Sequence, residues 1–192
     1  MPSLVLASTS TYRKQLLERL ELAFLTDRPD VDESELPGET PTATAERLAL
    51  AKARAVANRH PGSLIIGSDQ VAYSDMQRFG KPGTAERAIG QLQAMRGKSI
   101  FFHTALCLLD TRNGTYQQDA VSTEVRFRAL SDAEIQRYVE REQPFDCAGS
   151  AKAEALGISL IEYMRGDDPN ALIGLPLISL CNMLRTAGVE IL

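Results

Sequence analysis

Between Leu4 and Leu17 the chain reads LVLASTSTYRKQLL, which sets Ser8, Thr9, Ser10, Thr11, Tyr12, Arg13 and Lys14 between a short apolar run and an amphipathic segment. A loop that only reverses the chain is normally built from Gly, Pro, Asn or Asp. Hydroxyls followed by two cations suit an anion instead. A strand, a Ser/Thr-rich turn and a helix N-terminus leave backbone N–H groups and a positive dipole end facing one point. Arg13 and Lys14 would add charge-assisted bonds to phosphate oxygens. The same residues also serve as a plain helix cap with two solvated cations, and the local pattern fits both.

Other residues carry related chemistry. Leu48, Lys52 and Ala55 follow at helical spacing with Ala45 on the same stripe, so Lys52 lies on the small apolar face of an Ala-rich segment. Such a lysine either snorkels past the core or meets a negative partner. Asp69 stands at the end of the run Leu64-Ile65-Ile66-Gly67-Ser68, the strand-end position from which α/β sheets present ligand groups. A carboxylate there can bind a divalent metal or take a proton from water, or it can simply form a turn. Gly80-Lys81-Pro82 supplies a further loop lysine, either a ligand contact or an exposed charge. Asp32-Glu33 offers carboxylate oxygens to a hard cation or to solvent. Together these are the parts of metal-assisted phosphoryl chemistry. No Walker loop or dinucleotide fingerprint occurs, and His60 and His103 show no triad or zinc spacing.

The elements that must position these residues alternate between two periodicities. Leu4–Leu6 reads as a buried strand, and Tyr12 to Leu22 as a helix burying Leu16, Leu17 and Leu20. TDRPDVDESELPGETP is a polar loop. Thr40-Pro41 opens a helix that runs to about His60, before Pro61-Gly62. SLIIGSDQVAY is a strand delivering polar residues at its far end. GKPGTAERAIGQLQAMRG is a loop and a helix stopped at Gly97. KSIFFHTALCLLD and TYQQDAVSTEVRFRAL flank Asn113-Gly114 as a hairpin, with Val121, Thr123, Val125 and Phe127 alternating inward. Ser131 and Glu134 form a capping box for a helix to about Glu142. GISLIEY reads as a strand, and LPLISLCNMLRTAG as a closing helix between Pro176 and Gly188. The expectation is an α/β protein with a mixed twisted sheet flanked by helices.

At 192 residues the chain is one large domain or two small lobes around a cleft. A net charge of −4 argues against a general nucleic-acid binder but leaves room for a small anion held by local cations. Cys107, Cys147 and Cys181 are scattered and odd in number, with no metal or disulfide spacing, which fits a reducing compartment. No segment approaches the ~20 apolar residues of a membrane span, and Met1-Pro2-Ser3 does not open a signal peptide. A soluble, cytoplasmic protein is expected. The apolar run SIFFHTALCLLD offers either core or a homodimer surface.

The ordered series LASTSTYRK, VDE, AxxKA around Lys52, IIGSDQ, GKP, AGS…E…GI and GDDPNALIGLP resembles the Maf family of nucleotide pyrophosphatases, over essentially the whole chain. The resemblance implies a single domain over residues 1–192, related to inosine triphosphatase, with two lobes around a long cleft. It implies hydrolysis of a nucleoside triphosphate to the monophosphate and pyrophosphate with a divalent cation such as Mg²⁺, Mn²⁺ or Co²⁺. Ser8, Arg13, Lys14, Lys52 and Lys81 would be phosphate contacts. Glu33 and Asp69 would hold the metal, and Asp69 would accept the proton of the attacking water. Tyr12, Gln70 and Glu154 look like the specificity residues of the 7-methyl-GTP subgroup rather than of the dTTP and UTP members. A tyrosine face attracts the cationic 7-methylguanine ring. A carboxylate can accept two N–H donors from its N1 and N2 edge, where a pyrimidine offers only one between two carbonyls. Thr11 stands where proline is usual and Ala155 where glycine is common. The rival readings are dTTP or UTP hydrolysis, and a nucleotide-binding regulator of septum formation without turnover.

Overall fold

The computed structural model describes residues 2–75 and 77–192; Met1 and Met76 lie outside the described residues. In chain order the elements are β1 (Ser3–Ala7), α1 (Thr11–Glu18), β2 (Phe24–Asp27), α2 (Pro41–Ala57), β3 (Ser63–Ser74), β4 (Gln77–Arg78) and α3 (Ala85–Met95). They continue with β5 (Ser99–Asp110), β6 (Tyr116–Phe127), α4 (Asp132–Glu142), β7 (Ile161–Arg165) and α5 (Leu177–Thr186). The strand order is β2-β1-β3-β5-β6-β7, with β4 paired to β3. β1 lies parallel to β2 and β3, whereas β6 and β7 are antiparallel, so the protein is α/β with a mixed sheet, as expected.

The chain divides into two compact units: residues 1–70, 104–121 and 168–192 in one, and residues 71–103 and 122–167 in the other. In the first, Leu4, Leu6, Leu64, Ile66, Leu106 and Leu108 alternate onto one face of their strands. There they pack with Leu16 and Leu17 of α1 and with Leu180, Met183 and Leu184 of α5. The opposite face meets α2 at close range. A Cβ at Gly67 would lie 2.1 Å from the Ala49 carbonyl oxygen and 3.1 Å from the Ala53 Cβ, so only glycine admits the helix there. In the second unit, Ala88, Leu92 and Met95 of α3 and Ile135, Tyr138 and Val139 of α4 are buried. Ser131 and Glu134 make both bonds of the expected capping box. Arg96 at the end of α3 reaches Asp132 Oδ1 at 2.7 Å.

Four local expectations change. α1 ends at Glu18, because the chain turns through Glu21 in the left-handed region at φ +54°. β2 goes unseen in the sequence because it exposes Leu25, which is 57% accessible. The GISL of GISLIEY lies in a 3-10 turn, Leu156–Leu160, with the strand starting at Ile161. Gly157 is folded under Lys152, where a Cβ would stand 2.5 Å from the Lys152 carbonyl oxygen. The Asn113-Gly114 hairpin forms, but over the five residues 111–115, with Gly114 at φ +76° and the Asn113 side chain accepting from the Thr115 N–H at 2.9 Å. The apolar run of β5 is core: every residue from Phe102 to Leu109 is buried. No helix among the described residues is long and apolar enough to cross a membrane.

Candidate active site

Close packing at Gly67 has a direct consequence for charge. Gly67 and Asp69 are two residues apart on β3 and share a face, and Ala49, Lys52 and Ala53 share the facing stripe of α2. Lys52 Nζ therefore meets Asp69 Oδ1 at 2.6 Å, and the two residues are only 6% and 7% exposed. Lys52 does not snorkel; it takes the negative partner. A second carboxylate reaches the same ammonium, Glu33 Oε1 at 2.7 Å. Asp69 lies within β3, not at its end, since the strand continues to Ser74. The ladder with β1 accompanies β3 only to Ile66, three residues before Asp69. Burial pushes the Asp69 carboxyl above the ordinary range and neighbouring Glu33 adds to this, while Lys52 and Arg13 pull it back.

Glu33 sits in the polar loop ahead of α2, and α2 itself holds that loop. Arg47 donates from Nε and Nη2 to the two Glu39 oxygens at 2.6 and 2.8 Å, and from Nη2 to the Ser34 carbonyl at 3.0 Å. Thr44 Oγ1 donates to Glu39 Oε2 at 2.8 Å. The Arg47 guanidinium holds the Glu39 carboxyl down to about 2. Asp32 turns back to accept from the Ser34 N–H at 2.9 Å, so of the Asp32-Glu33 pair it is Glu33 that meets Lys52.

The opening loop delivers a capped helix N-terminus. Ser10 is the N-cap of α1, accepting from the Arg13 N–H, and buried Ser8 accepts from the Ser10 N–H at 3.1 Å. Arg13 leaves the helix to donate from Nε to the Gly174 carbonyl at 2.8 Å. Burial lowers its pKa, against the opposing charges of Asp69 and Glu33, which it is close enough to feel. Tyr12 occupies the first turn and is half-buried. Lys14 points elsewhere: it is exposed on α1 and pairs with Glu18 at 3.8 Å.

Gln70 follows Asp69 and faces the segment after Asp168. Its Nε2 donates to Thr104 Oγ1 at 2.9 Å and to the Ala171 and Leu172 carbonyls, each at 3.0 Å. Ser68, fully buried, donates to the Ala105 and Gly174 carbonyls at 2.8 and 3.0 Å. Gly174 thus accepts from both Arg13 and Ser68, and it does so at φ +119°, where a Cβ would stand 3.4 Å from Arg13 Nε. Ser68, Thr104 and these carbonyls are not signalled by residue type. The GDDPN…GLP run was the visible clue, without an assigned task.

Lys81 and Glu154 belong to the second unit. Lys81 is exposed on a loop pinned on either side, by the Gln91 amide to the Gly80 carbonyl and by Gly83 N–H to the Phe145 carbonyl, each at 3.0 Å. Glu154 is exposed on a turn fastened to α4: the Lys152 N–H donates to Tyr138 Oη at 3.1 Å, and the Leu156 N–H to Glu142 Oε2 at 3.1 Å. Partial burial, Glu142 and Asp146 raise the Glu154 carboxyl, and Lys152 opposes them.

Two carboxylates turned onto one ammonium form a hard-oxygen donor set. Among the described residues no group of three His, Cys, Asp or Glu side chains closes a metal cage. Glu33 and Asp69 fit a Mg²⁺-type ion that takes one or two carboxylates and completes its shell with water and phosphate oxygens.

Comparison with known proteins gives this geometry a context. A family model described as Maf-like protein matches residues 3–187. A 7-methyl-GTP pyrophosphatase of Aromatoleum aromaticum is 61% identical over 186 residues, covering 97% of this chain and 96% of its own. Proteins of the same name from Burkholderia thailandensis and Thiobacillus denitrificans are 58% and 55% identical over 191 residues, covering 98% and 100% of this chain and 89% and 95% of their own. With the match running through the Ser8–Lys14 loop, the Lys52–Asp69 pair and the Gly174 segment alike, the chain belongs to the Maf family.

Proposed function

We propose that the protein hydrolyses 7-methyl-GTP to 7-methyl-GMP and pyrophosphate, as a single pyrophosphatase domain of the cytoplasm that clears a modified nucleotide. The observation that carries this reading is a buried carboxylate, Asp69, bonded to a buried lysine in the unit that also presents the α1 N-terminus and Arg13. In the reaction, a water oxygen bonds to the α-phosphorus and the bond from that phosphorus to the bridging oxygen breaks. Pyrophosphate leaves with the bonding pair, and the water proton goes to Asp69. Ser8, the N-terminal turn of α1, Arg13 and Lys52 bind the phosphates, and Lys14, once released from Glu18, and Lys81 add positive charge. Glu33 and Asp69 are the residues to hold a divalent cation, which when bound offsets charge on the phosphate oxygens. Tyr12, Gln70 and Glu154 read the base: an aromatic face for a cationic ring, and acceptors for its N–H edge.

The raised pKa of Asp69 suits its task. A carboxyl raised above its ordinary value is a better proton acceptor than an ordinary carboxylate, provided it still ionises, and Lys52 and Arg13 favour its charged form. The test is Asp69→Asn, which keeps the shape of the side chain and removes the base. Turnover is expected to fall by ~10²–10⁴-fold with the melting transition retained. A folded Asp69→Asn protein with wild-type turnover would remove Asp69 from the reaction and take this reading of the site with it.

A further inference from the structure

A second buried carboxylate lies near these residues and has no part in the reaction above. Asp168 is 2% exposed. Its Oδ1 accepts from the Asn170 N–H at 2.8 Å and from Asn170 Nδ2 at 3.0 Å, while Oδ2 accepts from the Ile178 N–H at 2.7 Å. One side chain therefore ties both ends of the segment that runs from Asn170 to the first turn of α5. Pro176, the N-cap of that helix, provides no side-chain cap of its own.

Between those two ties, three backbone carbonyls face the candidate site. Gly174 O orients Arg13 Nε, at 2.8 Å. Ala171 O and Leu172 O accept from Gln70 Nε2, each at 3.0 Å. Thr104 Oγ1 donates to Ala171 O at 2.8 Å, so toward Gln70 it can act only as an acceptor. The polarity of the Gln70 amide follows from this. Its NH₂ group faces three acceptors, and turning the amide over would set its oxygen against two carbonyls. What Gln70 has left to present is the acceptor Oε1, which matches a base edge carrying N–H donors and opposes one carrying carbonyls.

We propose that Asp168 is a positioning residue. By fixing the Asn170–Gly174 segment it aims Arg13 at the phosphates and locks Gln70 as an acceptor, so that one buried carboxylate supports both turnover and base discrimination. The inference rests on the functional reading above, in which Arg13 binds phosphate and Gln70 reads the base. A carboxylate that merely caps α5 would affect stability and the fraction of active enzyme, and would leave the ratio between two substrates alone.

Asp168→Asn tests this, since it keeps the shape but puts an NH₂ group where an N–H is already donating. The measurements are kcat and KM per active enzyme for 7-methyl-GTP and for UTP, with the melting temperature recorded alongside. The expected result is a loss of ~10²-fold in kcat/KM for 7-methyl-GTP, the scale of a misplaced substrate-positioning group, with a smaller loss for UTP and hence a reduced ratio. A folded Asp168→Asn enzyme with wild-type kcat/KM and an unchanged ratio overturns the proposal and leaves Asp168 as a cap. If that variant does not fold, Ile178→Pro replaces it. Proline is accepted in a first helical turn, Ile178 is 53% exposed, and the substitution removes the N–H that Asp168 accepts while keeping the carboxylate; the same two outcomes apply. Wild-type enzyme run in parallel separates the two ideas. No turnover of any nucleotide refutes the functional reading and this proposal with it, whereas an active wild type with an indifferent Asp168→Asn refutes this proposal alone.

Discussion

Replacing Lys52 by methionine preserves most of the side chain's volume and removes the ammonium that Asp69 and Glu33 share. The two carboxylates respond differently. The Glu33 side chain is 57% exposed and can return to water, while that of Asp69 is 10% exposed and cannot. Breaking a buried pair commonly costs ~3–5 kcal/mol because a charge is left uncompensated. Asp69 has an escape, since it can take up a proton. The cost at pH 7 is then capped by the work of protonating an ordinary aspartate, about three pH units at ~1.36 kcal/mol each, or ~4 kcal/mol. Arg13 still lends Asp69 some support, which keeps the expected loss at ~2–4 kcal/mol, within that ceiling. The pH dependence carries the diagnosis. In the variant, Asp69 is protonated in the folded state and ionised in the unfolded chain above ~3.9, so the folded state binds more protons and stability falls as pH rises. The deficit relative to wild type should therefore be small near pH 4 and stay so while both folded states hold the proton. It should grow by up to ~1.4 kcal/mol per unit toward neutrality once pH passes the raised wild-type pKa of Asp69. Urea unfolding of both proteins at several pH values between those limits measures it. A deficit that is flat across the range, or absent at pH 7, would refute the account of Lys52 as the partner of a buried, ionised Asp69.

Other predictions concern packing and recognition. Gly67→Ala places a Cβ 2.1 Å from the Ala49 carbonyl. It should destabilise by ~1–3 kcal/mol or more and, by pushing α2 off β3, lower kcat/KM as well; thermal unfolding with wild-type Tm would show that the helix yields without cost. Glu154→Gln should lower the ratio of kcat/KM for 7-methyl-GTP over UTP while leaving UTP hydrolysis near the wild-type rate. An unchanged ratio would show that Glu154 does not read the base.

Much of the site's side-chain chemistry was legible because it depends on residue type and period. The helical spacing of Ala45, Leu48 and Lys52 put the lysine on the packed face, and the Ser/Thr run before Arg13 marked a capped helix start. Asp69 was legible as a residue but not in its setting. The length of β3 is fixed by partners far away in sequence, and its pairing with β1 stops at Ile66, three residues short of Asp69. The Glu33–Lys52 contact depends on Arg47 and Glu39 strapping a polar loop to α2, which no local pattern announces. The support from Ala171, Leu172 and Gly174 was least visible of all. Backbone carbonyls carry no residue code, and only the left-handed Gly174 hints that the chain must pass close to Arg13. GISL misled because its Ile and Leu favour strands, whereas the close approach of Gly157 to Lys152 selects a 3-10 turn.

The central claim concerns substrate and reaction together, and one assay addresses both: release of pyrophosphate by the wild-type protein with Mg²⁺ from 7-methyl-GTP, GTP, dTTP, UTP and ITP. The account predicts equimolar nucleoside monophosphate and pyrophosphate, with 7-methyl-GTP giving the highest kcat/KM. Preference for dTTP or UTP would contradict the roles given to Tyr12, Gln70 and Glu154, and no release from any nucleotide, with Mn²⁺ and Co²⁺ also tried, would contradict the assignment of Asp69 as a base.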